Sequence, residues 1–162
     1  MPYLIDGNNL MYALSEAQGG VGRLGLCKLL MVLPARGQRV RVVFDGPDPP
    51  SGLARQIEDT GLEVHYSGPR IADDLITEHI ATDSAPRRLS VVSSDREIRK
   101  AARRRRCRII KSEEFVPMLL RIAESHRRCE SKTRRGGEPK EKREGLSQEQ
   151  TQKWLREFGF DE

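Results

Sequence analysis

Cysteine is scarce in this sequence, and the three that occur, Cys27, Cys107 and Cys129, have no metal-type spacing. An odd, scattered set argues against a disulfide framework or a zinc site and predicts reduced thiols in a cytoplasm. Histidine is no richer: His65, His79 and His126 form no ligand-spaced pair. Ser93 and Ser94 have no base near them in sequence, so nothing supports a nucleophilic-residue mechanism. No apolar run approaches the roughly 18 residues of a membrane span, and Asp6 interrupts any signal-peptide core. A soluble, cytoplasmic chain with no membrane partner is expected. Internal repeats are absent, and no residue pattern specifies an oligomeric state.

What is present is charge. The 162 residues carry 29 basic and 24 acidic side chains, a formal +5. Seven of the ten residues from Arg99 to Arg108 are basic: Arg99, Lys100, Arg103, Arg104, Arg105, Arg106 and Arg108. From Arg127 to Arg143 there are eight basic residues against three acids. Such clusters suit a polyanion, of which nucleic acid is the commonest, although a solvated helix face and a basic tail have the same composition.

The apolar residues fall into short runs that stop on acids. Tyr3 to Ile5 ends at Asp6-Gly7, Arg39 to Phe44 at Asp45-Gly46, and Leu89 to Ser93 at Ser94-Asp95. Gly7 is expected to allow a tight turn, with Asn8 or Asn9 capping the helix that Leu10, Leu14 and Ala17 suggest. Val21 to Leu33 reads as a buried helix closed by Pro34 and Gly37. Asp48 to Ser51 reads as a Pro-rich turn, and Leu62 to Tyr66 alternates like an edge strand. A helix opens at Ala72 with Asp73 and Asp74 in its first turn, another carries Ile98, Ala101 and Ala102 inward, and Cys107 to Ile110 forms a last strand. Ser112 begins a final helix, whose regular part should start near Val116 because an interior Pro117 would lose a hydrogen bond. Beyond Arg127 apolar residues vanish until Ser147 and Gln150 form a capping box ahead of Thr151, Trp154, Leu155 and Phe158.

Alternating strands and helices argue for an α/β fold of three layers, α/β/α, with a mainly parallel central sheet. Parallel strands would bring Asp6, Asp45 and Asp95 to one rim, with Asp73 and Asp74 facing the same crevice. Bunched carboxylates suit a hard divalent ion, Mg²⁺ or Mn²⁺. Next to a basic surface they suggest phosphodiester chemistry. Acids at helix starts also favour the dipole, so separate capping roles are the structural alternative.

Asp6-Gly7-Asn8-Asn9, Val43-Phe44-Asp45-Gly46, Ala72-Asp73-Asp74 and Val92-Ser93-Ser94-Asp95-Arg96-Glu97 together resemble the PIN-like NYN domain, most closely its YacP-like branch. The resemblance covers about Met1 to Ile122. It implies a PIN-like, Rossmann-like topology and a metal-dependent endoribonuclease. It further implies Asp6, Asp73 and Asp95 as catalytic ligands, Asn8 in support, and Asp45 and Asp74 as further acids near the metal. Where the branch usually has an acid, this chain has Thr77, with Glu78 beside it, so the fourth ligand stays open. Arg99, Lys100 and Arg103 to Arg106 would hold the RNA. The branch includes ribosome-linked mRNA cleavage, which extends the expected partner from RNA to the ribosome. On this reading residues 1–127 form the nuclease domain, 128–146 a basic flexible linker and 147–162 a short amphipathic helix. A non-catalytic RNA- or ribosome-binding module of the same fold is one alternative. Another is a nucleotide-binding protein using Gly20 to Gly25, which match G-x-G-x-x-G with Asp45 twenty residues on.

Overall fold

The computed structural model describes residues 2–135. Five strands form one all-parallel sheet in the order β3-β2-β1-β4-β5. They are β1 Tyr3–Asp6, β2 Val40–Phe44, β3 Glu63–Tyr66, β4 Ser90–Val92 and β5 Arg108–Ile110. Six α-helices accompany them among the described residues: α1 Gly7–Gln18, α2 Arg23–Leu30, α3 Ser51–Glu58, α4 Ala72–Thr82, α5 Arg96–Arg104 and α6 Ser112–Arg135. The expected three-layer α/β/α architecture is present, with β3 at an edge.

Alternation along the strands sorts side chains onto two faces. Ile5, Val42, Phe44 and Val92 pack with Leu10, Leu14, Leu26, Leu30, Ile57, Phe115 and Leu119, so α1, α2, α3 and α6 cover one face. Leu4, Val43 and Val91 pack with Ile76, Ile80, Ile98 and Ala102, so α4 and α5 cover the other. Burial on both faces explains the consecutive apolar residues Val42, Val43 and Phe44 in β2 and Val91 and Val92 in β4. Each fully buried Leu, Ile or Phe contributes about 1.5–3 kcal/mol. By the same alternation Asp6, following Ile5, points to the α4–α5 side.

The strand order also fixes where ligands can enter. From β1 the chain proceeds outward through β2 to β3, then crosses to the other side of β1 to form β4. The connections diverge between β1 and β4, and in open α/β sheets the crevice at the strands' carboxyl ends there is the binding position. Asp6 ends β1 and Asp95 follows β4 at that place.

Several local expectations need correction. Gly7 does not make a left-handed turn. A Cβ at Gly7 would collide with the Phe44 ring and the Val43 carbonyl, so glycine serves close approach of α1 to β2. Nor do Asn8 and Asn9 cap α1: Asp6 does, its Oδ1 accepting from the Asn9 amide at 3.0 Å. The segment after Pro50 is a full helix, α3, that the turn reading overlooked. α6 begins at Ser112 and carries Pro117 inside it. The proline's missing N–H leaves the Glu113 carbonyl without its helical donor, but both residues are exposed, so water can serve.

α6 continues to Arg135, so the first part of the segment read as a linker from residue 128 is helical. The proposed helix at 147–162 lies outside the described residues. Gly20 to Gly25 span the α1–α2 connection and the first turn of α2, with no strand running into them. The dinucleotide fingerprint needs that strand, so this alternative fails. No helix of the described residues is long and apolar enough to cross a membrane. Cys27 and Cys107 are buried free thiols.

Candidate active site

The carboxyl edge of the sheet gathers acids from three strand ends and one helix start. Asp6 is only 5% exposed. Its Oδ2 accepts from the Ser93 hydroxyl at 2.9 Å, and Ser93 Oγ in turn accepts from the Asp95 amide at 3.0 Å. One buried serine thus ties the ends of β1 and β4 together. Burial, above all, raises the Asp6 carboxyl to about 6 despite its bonds from Asn9 and Ser93, and Asp73 and Asp45 add to the rise. Asp73 is also raised, first by desolvation and then by Asp95, Asp45 and Asp74. Asp6, Asp45, Asp73 and Asp95 therefore share one electrostatic neighbourhood, as the rim argument requires.

The acids differ in freedom. Asp95 caps α5, its Oδ1 accepting from the amides of Glu97 at 2.7 Å and Ile98 at 3.1 Å. Its Oδ2 takes no hydrogen bond among the described residues and stays available. In Asp45 both oxygens are committed: Oδ1 accepts from the Ala72 amide and Oδ2 from Asn8 Nδ2, each at 2.8 Å. Asp45 is a brace that seats the acidic start of α4 beside β2. Asp74 is exposed and bears on the centre through its neighbour Asp73. Glu78, one candidate for the open fourth position, is turned to Arg70 in an ion pair at 2.9 Å. Thr77, the other, is exposed and carries no carboxylate.

Three features escaped the sequence reading. Glu113, in the first turn of α6, accepts from Ser94 Oγ at 2.5 Å and adds an acid to this edge. That hydrogen bond, first of several causes, lowers its carboxyl below the usual range. Asn9 Oδ1 accepts from the Ser94 amide at 2.9 Å and the Ser112 hydroxyl at 2.6 Å, joining α1 to the loop after β4 and to α6. Arg23 donates to the Asp45 carbonyl at 2.6 Å and lies 5.6 Å from the Phe44 ring centre and 5.7 Å from that of Tyr66. The only signal for the serines was the run Ser93-Ser94-Asp95. Arg23 had none, because its partner is 22 residues away.

Among the described residues no three His, Cys, Asp or Glu side chains converge as a ready-made metal cage. The donor set still fits a hard, hydrated ion. Every donor is oxygen, and burial of Asp6 with three acids nearby disfavours leaving them all bare and ionised. Asn8 Oδ1 is a buried acceptor without a partner. Its orientation is fixed, since flipping the amide would set oxygen against the Asp45 carboxylate. Ions of the Mg²⁺ type keep several waters and take one or two carboxylates plus substrate phosphate, so no closed cage is needed.

The predicted RNA-binding residues separate. Arg99 and Lys100 lie one turn into α5, near the acids, and Lys100 pairs with Glu97 at 3.4 Å. α5 then runs about 13 Å back along the sheet, carrying Arg103, Arg104 and Arg106 to the opposite edge. Arg105 is not free for phosphate: it donates to the carbonyls of Ile80 at 3.3 Å and Asp83 at 2.8 Å, closing the end of α4. His65 and His79, unpaired by spacing, stand with ring centres 5.2 Å apart. Arg41 Nη1 lies 3.3 Å from His79 Nδ1, and a guanidinium there excludes a cation on that nitrogen.

Comparison with known proteins bears on this geometry. Residues 3–158 match the family profile of the YacP-like NYN domain. The match runs well past Ile122, so the tail belongs to the similarity that the motifs alone placed outside it. The fold resembles the crystal structure of Rae1 (YacP) from Bacillus subtilis, at 22% identity, TM-score 0.56 and coverage of 83% of this chain and 80% of that one. A single-site mutant of that protein matches at 21% identity and TM-score 0.61, covering 88% and 86%. No curated protein matches the chain.

Proposed function

Because the chain belongs to the YacP-like NYN domain family, a nuclease-like family, we propose that it is a divalent-metal-dependent endoribonuclease acting at the carboxyl edge of its sheet. The observation that carries this reading is the shared neighbourhood of Asp6, Asp73 and Asp95 beside the unpartnered Asn8 Oδ1. Asp6, Asp73 and Asp95 would hold Mg²⁺ or Mn²⁺. When bound, such an ion supplies Lewis-acid polarisation of the phosphodiester and lowers the pKa of water.

The chain's own groups do the positioning. Ser93 and the Asn9 amide lock the Asp6 carboxylate in one orientation. Hydrogen bonds from the Glu97 and Ile98 amides hold Asp95 Oδ1, leaving Oδ2 for the ion. Asp45 fixes the start of α4 and thereby Asp73. Asn8 Oδ1 accepts a hydrogen bond from water or a substrate hydroxyl. Arg99, half-buried one turn behind Asp95, supplies positive charge near the scissile phosphate.

A non-catalytic RNA-binding module of this fold is the second reading, favoured by the absence of a ready-made cage among the described residues. Purified protein incubated with single-stranded and structured RNAs in Mn²⁺, Mg²⁺ or chelator separates the two. Cutting that depends on the divalent ion supports the nuclease. Tight binding with no cutting under any ion supports the module.

A further inference from the structure

The amino edge of the sheet, opposite the acids, is an arginine surface. Arg39 precedes β2, Arg87 and Arg88 precede β4, and Arg108 opens β5. The starts of these strands are in register, since Tyr3 pairs with both Val40 and Ser90, and Ser90 with Arg108. With strands about 4.8 Å apart, Arg39 to Arg108 spans about 14 Å. Arg103, Arg104 and Arg106 arrive at the same edge from the end of α5. All seven are exposed, and among the described residues none takes part in an ion pair or side-chain hydrogen bond. The nearby acids are occupied: Glu63 pairs with Arg41 at 2.7 Å, and Asp83 Oδ1 accepts from the Ala85 amide at 2.8 Å.

A second observation makes this more than a solvated face. α5 ends in a Schellman turn, with Arg106 N–H on the Arg103 carbonyl and Cys107 N–H on the Ala102 carbonyl. Arg106 occupies the left-handed position at φ +60°, the sole non-glycine residue with positive φ among those described. Glycine is the residue that conformation favours. A charged side chain is kept there at a backbone cost.

We propose that this edge is a docking surface for the phosphate backbone of double-helical RNA, separate from the acid edge. Arginine forks suit phosphate. Among the described residues the surface offers no base-stacking platform, since the one exposed aromatic, Tyr12, lies in a groove beside Asn8. Single strands are gripped by aromatic stacking as well as charge, whereas duplex RNA is recognised through shape and phosphates. The proposal rests on the RNA reading above but not on catalysis.

The test is binding of a 20-base-pair RNA duplex to the full chain as salt is raised, alongside cleavage of a short single-stranded RNA. Arg39→Ser, Arg87→Ser, Arg88→Ser and Arg108→Ser combined should lower the slope of log K against log salt by about 3 to 4, at about 0.9 per lost contact. Cleavage of the short strand should be unchanged. Arg106→Gly should raise the melting temperature yet lower the slope by about 1, a pairing that a purely structural role cannot give. An unchanged duplex slope in the fourfold variant overturns the proposal. So does equal loss of binding to anionic vesicles or a polyglutamate peptide, which would make the surface a general anion binder. Asp95→Asn should bind the duplex normally. If wild-type protein binds duplex but cuts nothing, the nuclease reading fails and the docking surface stands.

Discussion

The two edges of the sheet solve opposite electrostatic problems. At the carboxyl edge, Asp6 is buried, and Asp6, Asp45 and Asp95 are each fastened by hydrogen bonds from backbone amides or side chains. Desolvation first, and then the like charges held nearby, raise the carboxyls of Asp6 and Asp73. At the amino edge Arg39, Arg87, Arg88, Arg103, Arg104, Arg106 and Arg108 are exposed and carry no side-chain partners among the described residues. The proposed chemistry at a phosphorus would need groups held within a fraction of an ångström, and places at strand ends and helix caps give Asp6 and Asp95 that order. Attraction of a polyanion acts over a Debye length of about 8–10 Å and needs no such locking. Order of side chains, more than sign of charge, separates the proposed site for reaction from the proposed site for capture.

The sharpest way to break this comparison is to neutralise one acid. Asp95→Asn and Asp6→Asn should each reduce cleavage of a short RNA by about a hundredfold or more, with folding retained. Asparagine is itself a good N-cap, so the helix starts survive. Cleavage at the wild-type rate in both variants would remove the carboxyl edge from the chemistry. Next in size is Gly7→Ala. The added methyl meets the Phe44 ring and the Val43 carbonyl, backbone that cannot retreat. Overpacking of this kind costs about 1–3 kcal/mol, a melting temperature lower by about 2–4 °C per kcal/mol for a chain this long. Thermal melts check it; an unaltered melt would show that α1 can slide away from β2.

Asp45→Ala distinguishes a brace from a ligand. It strands the Ala72 amide and the Asn8 side chain, and loss of such an N-terminal acceptor costs about 1 kcal/mol. The expected result is a modest drop in melting temperature, with cleavage in saturating Mn²⁺ reduced far less than in Asp95→Asn. Equal loss of cleavage in the two variants would make Asp45 a member of the reacting set.

Much of this was legible because strand ends are short-range features. An apolar run stopped by an acid marks both the strand and its carboxyl end, so Asp6, Asp45 and Asp95 could be assigned to one edge from the sequence. The α4 start was visible for the same reason. Tertiary partnerships were not. Asp45 looks like Asp6 in sequence, and only the Ala72 amide, 27 residues away, reveals it as a brace. The arginines formed one cluster along the chain, but α5 carries them away from the acids and the strand register adds Arg39, Arg87 and Arg88 from elsewhere. α3 was hidden by Pro50 at its N-cap and by a mostly exposed surface around buried Ile57. Pro117 misled because the helical rule ignores which side of the helix faces water.

The smallest expected effect lies where Arg41, paired with Glu63, meets the α4 layer. Arg41 has only donors, so its contact with His79 Nδ1 requires a neutral imidazole with the proton on Nε2. Desolvation, then Arg41 and His65, lower the His79 pKa, while Glu78 and Glu63 oppose weakly. The folded protein therefore binds fewer protons than the unfolded chain just below pH 6.5. By linkage this contribution is complete above about pH 6.5 and is lost as pH falls toward the depressed folded value. Asp6 acts in the reverse sense, its raised carboxyl favouring the fold as pH falls from about 6 toward 3.8. The melting temperature of the wild type alone mixes the two, but its difference from His79→Gln isolates the histidine. Glutamine keeps an acceptor for Arg41 and does not titrate. The wild type should lose melting temperature relative to the variant between pH 7.5 and 5, by a small margin because the ring is half-exposed and screened. Parallel curves across that range would mean that Arg41 turns to Glu63 alone when His79 takes up its proton, leaving the arginine edge indifferent to the α4 layer.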